Sequence, residues 1–191
     1  MPRKEGLVHV LTGDGNGKTT SAIGLAVRAR GRGLRVAIVQ FLKGGFSGEN
    51  EPLSKLGITV VTNTKHCPRQ EEHKAALKKD GHVVFCRGCF AINDTDKALI
   101  AAAFVKALDF AKGGQVDLLI LDEIFPTISF NLVTADQLLS LIKEKRPSCE
   151  LVLTGRGAPK AVEDAADYVT VVGKKKHPFD KGVLSRAGID Y

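Results

Sequence analysis

A glycine-rich segment near the start of the chain has the residue types of a phosphate-binding loop. It reads Thr12-Gly13-Asp14-Gly15-Asn16-Gly17-Lys18-Thr19-Thr20. Glycines let successive backbone N–H groups turn inward onto phosphate oxygens, and Lys18 adds a full positive charge. The hydroxyl of Thr19 is suited to ligate a Mg²⁺ ion that the phosphates share. We therefore expect a nucleotide triphosphate, most simply ATP, to bind here.

This loop departs in one position from the usual P-loop pattern. The pattern has a glycine six residues before the lysine, whereas this chain has Thr12 there and its first glycine at Gly13. The physical requirements still hold, because a strand-like run precedes the loop and a helix-like segment follows it. The N-terminus of that helix adds partial positive charge. A glycine-rich turn that binds nothing is the alternative, and the Gly-Lys-Thr-Thr run in this context argues against it.

Two carboxylates end an apolar run in the second half of the chain. The run reads Val116-Asp117-Leu118-Leu119-Ile120-Leu121-Asp122-Glu123. In P-loop proteins an acid at such a strand end lies across from the phosphate loop and holds the Mg²⁺ shell. Thr19, Asp122 and Glu123 are therefore the candidate magnesium ligands. Two alternatives stay open: Asp122 caps a turn, or Glu123 orients water for hydrolysis of the terminal phosphate.

Short apolar runs alternate with longer amphipathic segments along the chain. The strand-like runs are Leu7–Leu11, Arg35–Phe41, Ile58–Val61, Val116–Leu121, Leu151–Thr154 and Tyr168–Val172. The helix-like segments are Thr19–Arg30, Gln70–Lys79, Asp94–Ala111 and Ala135–Lys145, the last with Thr134 as its N-cap. This alternation predicts an α/β fold with a mostly parallel central sheet and helices on both faces. Ligands of such sheets bind at the carboxyl ends of the strands.

Length and composition indicate one globular domain. The chain has 191 residues, of which 43% are apolar and 26% charged. We expect a single nucleotide-binding domain over 1–191, with an irregular insert around 63–93 and a C-terminal tail at 173–191. No apolar run is long enough for a membrane span, and the first residues lack the apolar core of a signal peptide. A cytoplasmic location with reduced cysteines and no membrane partner is therefore expected.

The basic balance of the chain is compatible with more than one partner. The formal net charge is +7 and the pI about 9.3, which suits either nucleic acid or a small polyanion such as ATP. The densest basic run, at 174–176, has only three lysines. A solvated basic surface explains such a run without any nucleic acid. We therefore do not expect a nucleic acid partner.

Several blocks along the chain match the motifs of one known family. They are the phosphate loop with its shifted glycine, Arg28 nine residues after Thr19, Val39-Gln40-Phe41-Leu42-Lys43-Gly44, Leu121-Asp122-Glu123-Ile124, Leu153-Thr154-Gly155-Arg156-Gly157-Ala158-Pro159, Ala166-Asp167, Lys176-His177-Pro178-Phe179-Asp180-Lys181-Gly182 and Gly188-Ile189-Asp190-Tyr191. On these residues the chain resembles the P-loop ATP:corrinoid adenosyltransferases, which make adenosylcobalamin. The two C-terminal blocks are not general P-loop features, and the matches span nearly the whole chain.

The resemblance implies a three-layer P-loop NTPase fold of the recombinase-like kind and a particular reaction. Co(I) of a corrinoid, cobalamin or a precursor, would attack the 5′ carbon of ATP and release triphosphate. It also implies Mg²⁺, an electron donor that reduces cobalt, and a homodimer. The implied catalytic residues are Lys18, Thr19, Arg28 and Glu123. The implied nucleotide-binding residues are Gly13, Asp14, Gly15, Asn16, Gly17, Lys18, Thr19, Thr20, Arg28 and Arg156.

The middle of the chain departs from the family. Many members have a Phe-Thr-Trp-Glu block there, whereas this chain has no tryptophan and reads Phe85-Cys86-Arg87-Gly88-Cys89-Phe90. With Cys67 and His66, His73 and His82 near in sequence, Cys86 and Cys89 are candidate Zn²⁺ ligands. Unligated thiols are the alternative. Because the family's block lies on the corrinoid side of the site, this departure bears on which corrinoid is used.

Three other functions fit parts of the pattern. A recombinase-like ATPase would use Glu123 to orient water and the basic surface to bind nucleic acid. A nucleoside kinase resembling the thymidine kinases would combine the P-loop with a cysteine-bound zinc, but would not explain the Thr154 and His177 blocks. A corrinoid carrier gated by nucleotide would bind both ligands without turnover. His177 itself either faces a ligand or packs the tail onto the sheet.

Overall fold

Six parallel strands form one sheet in the described part of the chain. The computed structural model describes residues 5–43, 47–63, 69, 71–73, 75–76, 92–186 and 188–190. The strands are β1 (Val8–Thr12), β2 (Val36–Gln40), β3 (Thr59–Thr62), β4 (Leu118–Asp122), β5 (Glu150–Thr154) and β6 (Tyr168–Val171). Their order across the sheet is β3-β2-β4-β5-β1-β6, and all five pairings are parallel. The carboxyl ends of β1, β2 and β4, which carry the candidate residues, therefore meet at one edge.

Helices connect these strands. They are α1 (Lys18–Gly31), α2 (Asn50–Lys55), α3 (Asp94–Lys112), α4 (Ile124–Ser129), α5 (Ala135–Glu144) and α6 (Lys160–Asp164), with a 3₁₀ turn at Pro178–Lys181. Capping boxes begin two of them: Asn93 with Asp96 at α3, and Thr134 with Gln137 at α5. Thr134 is thus the N-cap that the sequence predicts.

Apolar residues on the two faces of the sheet pack against different helices. Along β4, Leu119 and Leu121 join a core that includes α3 and α5, while Leu118 and Ile120 join a second core under α1 and α2. This alternation follows from the two-residue period of a strand. All four leucines and isoleucines are essentially fully buried, and each such side chain stabilises the fold by about 1.5–3 kcal/mol. The three-layer α/β architecture is confirmed.

The observed elements differ from the expected ones mainly at their ends and in the short helices. The strands and long helices lie within one or two residues of their expected bounds. The helices α2, α4 and α6 were not expected, because five or six residues are too few to show a helical period. Pro52 and Pro126 also suggest a break, yet each lies in the first turn, where proline is tolerated. Of the expected helix Gln70–Lys79, only 71–73 and 75–76 are described, and they are helical.

Within the described residues, no helix combines the length and the apolar character needed to cross a membrane.

Candidate phosphate-binding site

Two glycines give the loop between β1 and α1 its shape. Gly13 has φ 103° and Gly17 has φ 118°, in the left-handed region where other residues are strained. A Cβ at Gly13 would also lie 2.5 Å from the carbonyl oxygen of Val172. Gly17 is the N-cap of α1, so the helix begins at Lys18 and its free N–H groups face the loop. The loop is therefore a concave surface lined by backbone donors.

A polar cavity of about 180 Å³ lies over this loop. Its lining residues are Asp14, Gly15, Asn16, Gly17, Lys18, Thr19, Glu123, Arg156 and His177. The loop, the end of β4, the segment after β5 and the C-terminal tail all contribute to it. Positive charge from Lys18 and Arg156 combines with the N-terminus of α1. This combination suits a phosphate chain.

The ammonium of Lys18 is buried within the phosphate loop. The residue is 6% exposed, and its Nζ donates to the carbonyl oxygen of Gly15 at 2.8 Å. Burial lowers the pKa of Lys18, while attraction from Glu123 opposes that shift. An incoming phosphate would offer this ammonium a charged acceptor in place of a neutral carbonyl, and would thereby favour its charged form.

Asp122 lies behind the cavity and holds the hydroxyl of Thr19. Its Oδ1 accepts hydrogen bonds from Thr19 Oγ1 at 2.8 Å and from Thr154 Oγ1 at 2.6 Å. Its Oδ2 lies 2.6 Å from Nζ of Lys43, in an ion pair. Asp122 is 1% exposed, so this carboxylate is a buried charge whose two oxygens are both engaged.

A second carboxylate completes the network around Lys43. Oε1 of Glu49 lies 2.8 Å from Nζ of Lys43 and accepts from Gln40 Nε2 at 2.8 Å and Ser47 Oγ at 3.0 Å. Burial alone would lower the pKa of Lys43, but the charges and hydrogen bonds of Asp122 and Glu49 outweigh it, and the pKa is raised. Burial alone would raise the pKa of Glu49, but the charge and hydrogen bond of Lys43 have the larger effect, and the pKa of Glu49 is lowered. Lys43 and Glu49 are therefore both charged at neutral pH.

Glu123 has a strained backbone that places it beside the cavity. Its φ is 57°, uncommon for a residue other than glycine, and its N–H donates to Thr154 Oγ1 at 3.0 Å. Burial, with repulsion from Asp122, raises the pKa of Glu123. A cation near the carboxylate would remove this penalty. Thr19 and Glu123 thus bring a hydroxyl and a carboxylate, both hard oxygen donors, to one cavity.

The C-terminal tail is tied to the phosphate loop. The N–H of Gly15 donates to Val172 O at 2.7 Å, and the N–H of Lys174 donates to Asp14 Oδ1 at 3.0 Å. That hydrogen bond lowers the pKa of Asp14. The tail then reaches the cavity at His177. Residues about 160 positions apart in sequence therefore form one site.

The structure brings together most, but not all, of the residues expected at the site. Asp14 to Thr19, Glu123 and Arg156 line the cavity, whereas Gly13 and Thr20 do not. Arg28 is exposed in the last turn of α1, and ten residues of helix separate it from Lys18 by about 15 Å. It does not line the cavity, so its role as a triphosphate ligand stays a prediction.

The cysteines expected to bind zinc are not described. Cys67, Cys86 and Cys89 lie outside the described residues, so their ligation stays a prediction. Among the residues that are described, no group of three or more histidine, cysteine or acidic side chains is placed to hold a metal ion. A Mg²⁺ site made from the Thr19 hydroxyl and the phosphate oxygens of ATP would not be a group of this type, because those oxygens do not belong to histidine, cysteine or acidic side chains.

Three residues of the site had no role assigned from sequence: Lys43, Glu49 and Thr154. Lys43 and Thr154 follow or end strands that flank β4 in the sheet. The signal that could have found them is position, because the carboxyl ends of parallel strands share an edge. Using it requires the strand order, which the sequence does not state directly. Glu49 lies in an irregular stretch and had no such signal.

Sequence comparisons with known proteins match one family, and a comparison of structures matches the fold. A sequence model of the family "ATP:corrinoid adenosyltransferase BtuR/CobO/CobP" matches residues 4–191. The corrinoid adenosyltransferase CobA of Salmonella typhimurium is 29% identical over 98% of this chain and 87% of its own. The corrinoid adenosyltransferase of Pseudomonas aeruginosa is 28% identical over 98% of this chain and 85% of its own. A KaiC-like protein from Pyrococcus horikoshii has a similar fold, with a TM-score of 0.51 and 18% identity over 91% of this chain and 75% of that one.

Proposed function

Because the chain belongs to the ATP:corrinoid adenosyltransferase family, and is thus a transferase, we propose that it moves the 5′-deoxyadenosyl group of ATP onto Co(I) of a corrinoid. The cobalt electron pair attacks the 5′ carbon, a cobalt–carbon bond forms, and the bond from that carbon to the phosphate oxygen breaks. Triphosphate leaves intact with the electron pair of that bond. The observation that supports the proposal is the polar cavity over the phosphate loop, where Lys18 and Arg156 lie beside the N-terminus of α1.

The nucleophile in this reaction belongs to the substrate, so the chain needs no nucleophile or general base of its own. Its task is to bind the triphosphate and to stabilise the charge that grows on the leaving group. We assign this role to Lys18 and Arg156, which line the cavity, and to the backbone N–H groups at the start of α1. Because Lys18 is buried, solvent screens its ammonium little, and its charge stabilises the leaving triphosphate more strongly than an exposed lysine would.

Thr19 and Glu123 fit a Mg²⁺ ion bound with the nucleotide. Both offer hard oxygen ligands to one cavity, and repulsion between Glu123 and Asp122 is the kind of charge excess that a cation relieves. When bound, Mg²⁺ would neutralise part of the phosphate charge. Since both oxygens of Asp122 are already engaged, we propose that Asp122 acts on the metal by orienting Thr19.

The remaining expectations from the family are proposals as well. They are a cytoplasmic location, a homodimer, and an electron donor that reduces cobalt before each turnover. The last follows from the chemistry, because only the Co(I) state carries the nucleophilic electron pair.

The deciding experiment is an anaerobic incubation of the protein with ATP, Mg²⁺ and chemically reduced cobalamin. We expect a light-sensitive adenosyl-cobalt spectrum and one intact triphosphate per corrinoid alkylated. Lys18→Ala should lower the rate by about 10²-fold or more, the scale of a lost charge-stabilising donor. Lys97→Ala, on an exposed turn of α3, is the matched control. Formation of only ADP and phosphate would refute the transfer and favour an ATPase.

A further inference from the structure

We propose that His177 is a phosphate-binding residue of the nucleotide site, in the neutral form that carries its proton on Nε2. The inference rests on the proposed function, because it assigns a tail residue to the same site. It is carried by the place of His177 in the cavity and by one hydrogen bond of its ring.

His177 is one of the residues that line the phosphate cavity. The tail leaves β6, passes the phosphate loop at Val172 and Lys174, and brings His177 into the lining of the cavity that Lys18 and Arg156 share. The residue is only partly exposed. A histidine that merely packed the tail onto the sheet would contact apolar side chains of the core, whereas every other residue lining this cavity is a loop glycine or a polar residue.

The imidazole ring of His177 accepts a hydrogen bond from the backbone that follows it. Nδ1 of His177 accepts a hydrogen bond from the backbone N–H of Phe179 at 3.1 Å, as the N-cap of the 3₁₀ turn that follows. A backbone N–H can only donate, so Nδ1 carries no proton. The neutral ring must then carry its proton on Nε2. The turn thereby fixes His177 as a donor, which is what a phosphate oxygen requires.

The tail is anchored by Lys174, whose side chain and backbone both have partners. Nζ of Lys174 is paired with Asp180, at 3.1 Å from Oδ1, which joins the segment before His177 to the 3₁₀ turn after it. The backbone of Lys174 is held by Asp14. His177 is thus held between two attachments, so its donor is oriented before the ligand arrives. The carboxylate of Asp14 lines the same cavity and repels anions, so phosphate binding depends more strongly on each hydrogen-bond donor there.

Two substitutions of His177 separate its two hydrogen bonds. In His177→Asn the amide oxygen can keep the cap on Phe179, but no donor remains at the Nε2 position. In His177→Gln the longer amide restores a donor near that position and loses the cap. His9→Gln, at the other end of β1 from the loop, is the control for a histidine outside the cavity.

The measurement is calorimetric binding of inorganic triphosphate and of ATP, each with Mg²⁺ and without corrinoid. We expect His177→Asn to weaken both ligands about tenfold or more, the range of a hydrogen bond to a charged group, and His177→Gln to weaken them less than about threefold. The imidazole signal that disappears in His177→Asn is thereby assigned to His177. In long-range ¹⁵N–¹H NMR spectra this signal should have the pattern of the Nε2–H tautomer.

The outcomes separate this inference from the proposed function. His177-dependent triphosphate binding without any adenosyl transfer would support the inference and refute the proposed reaction. Adenosyl transfer with wild-type triphosphate affinity in His177→Asn would do the reverse. Weaker binding only in His177→Gln would reduce His177 to a cap of the turn, and an Nδ1–H signal would also overturn the inference.

Discussion

The ammonium of Lys43 lies 2.6 Å from Oδ2 of Asp122, and Asp122 in turn accepts the hydroxyl proton of Thr19 at 2.8 Å. A chain of three residues thus runs from the end of β2, through the end of β4, to the start of α1. The exposed fraction is 21% for the Lys43 side chain and 2% for that of Asp122, so solvent screens this pair little. Lys43 is therefore linked through Asp122 to Thr19, the proposed magnesium ligand, and does not itself line the phosphate cavity.

Lys43→Met tests this relationship. The substitution keeps the length of the side chain but leaves Asp122 as a buried charge without its cation, so the free energy of unfolding should fall by about 3 kcal/mol. Adenosyl transfer should fall about tenfold or more, because Lys43 no longer holds in place the carboxylate of Asp122 that accepts from Thr19. Urea unfolding and turnover at saturating ATP are the measurements. Lys55→Met breaks an exposed ion pair with Glu51 and should leave the free energy of unfolding nearly unchanged, because solvent screens that pair. Equal effects of the two substitutions would contradict the role of Lys43.

Glu123→Gln tests the proposed magnesium ligand. The amide has nearly the same shape but no charge, so the concentration of Mg²⁺ needed for half-maximal turnover should rise about tenfold or more. The fold should be unaffected, since burial already disfavours the charged form of this side chain. Glu144→Gln, in an exposed ion pair with Lys112 on α3, is the control. An unchanged Mg²⁺ dependence in Glu123→Gln would remove Glu123 from the metal site.

Asp117 directly precedes β4, at the end of the strand opposite Asp122. Its carboxylate makes the stability of the protein depend on pH. Hydrogen bonds from the side chain of Arg35 lower the pKa of Asp117 from 3.8 to about 2. Because the folded pKa is depressed, the pair stabilises the protein fully above the unfolded pKa, and this contribution is lost as pH falls from about 4 towards 2. The pair is partly exposed, so the full shift is discounted for solvent screening to about 1 kcal/mol.

Asp117→Asn should therefore lower the free energy of unfolding by about 1 kcal/mol at pH 7. The difference from wild type should shrink steadily below pH 4, since the wild-type carboxylate then takes up its proton. Urea unfolding of both proteins between pH 7 and pH 2.5 measures this. A difference that stays constant over that range would mean that the substitution acts through packing and not through charge.

Zinc binding is the remaining prediction for the cysteines. If Cys67, Cys86 and Cys89 bind Zn²⁺, the metal should copurify at about one per chain, with Zn–S distances near 2.3 Å by X-ray absorption. Removing it should weaken corrinoid binding and leave ATP binding largely intact, because this stretch is separate in sequence from the phosphate loop. Cys149, a buried free thiol of the sheet core, is the control residue. Protein purified without added metal that contains no zinc would leave these cysteines as ordinary thiols.

The sequence predicts the local parts of this site well. The phosphate loop and the acidic end of β4 each depend on residues that are near one another in the chain, so composition and spacing are enough. The same holds for the Thr134 cap outside the site. Lys43 and Thr154 belong to sequence motifs, but their contacts with Asp122 depend on β2 and β5 both flanking β4. The approach of Val172 to Gly15 joins distant segments through backbone atoms, for which no side-chain pattern exists.

The position of β1 has a consequence for the time course of folding. This first strand pairs with β5 on one side and β6 on the other, so both of its partners are synthesised last. A growing chain can pair β2, β3 and β4 on the ribosome, yet the phosphate loop stays without its tail support until residue 172 has emerged. Such long-range pairing slows folding, since a large loop must close before the contacts form. Nucleotide affinity should consequently appear only after β5 and β6 have joined β1 in the sheet.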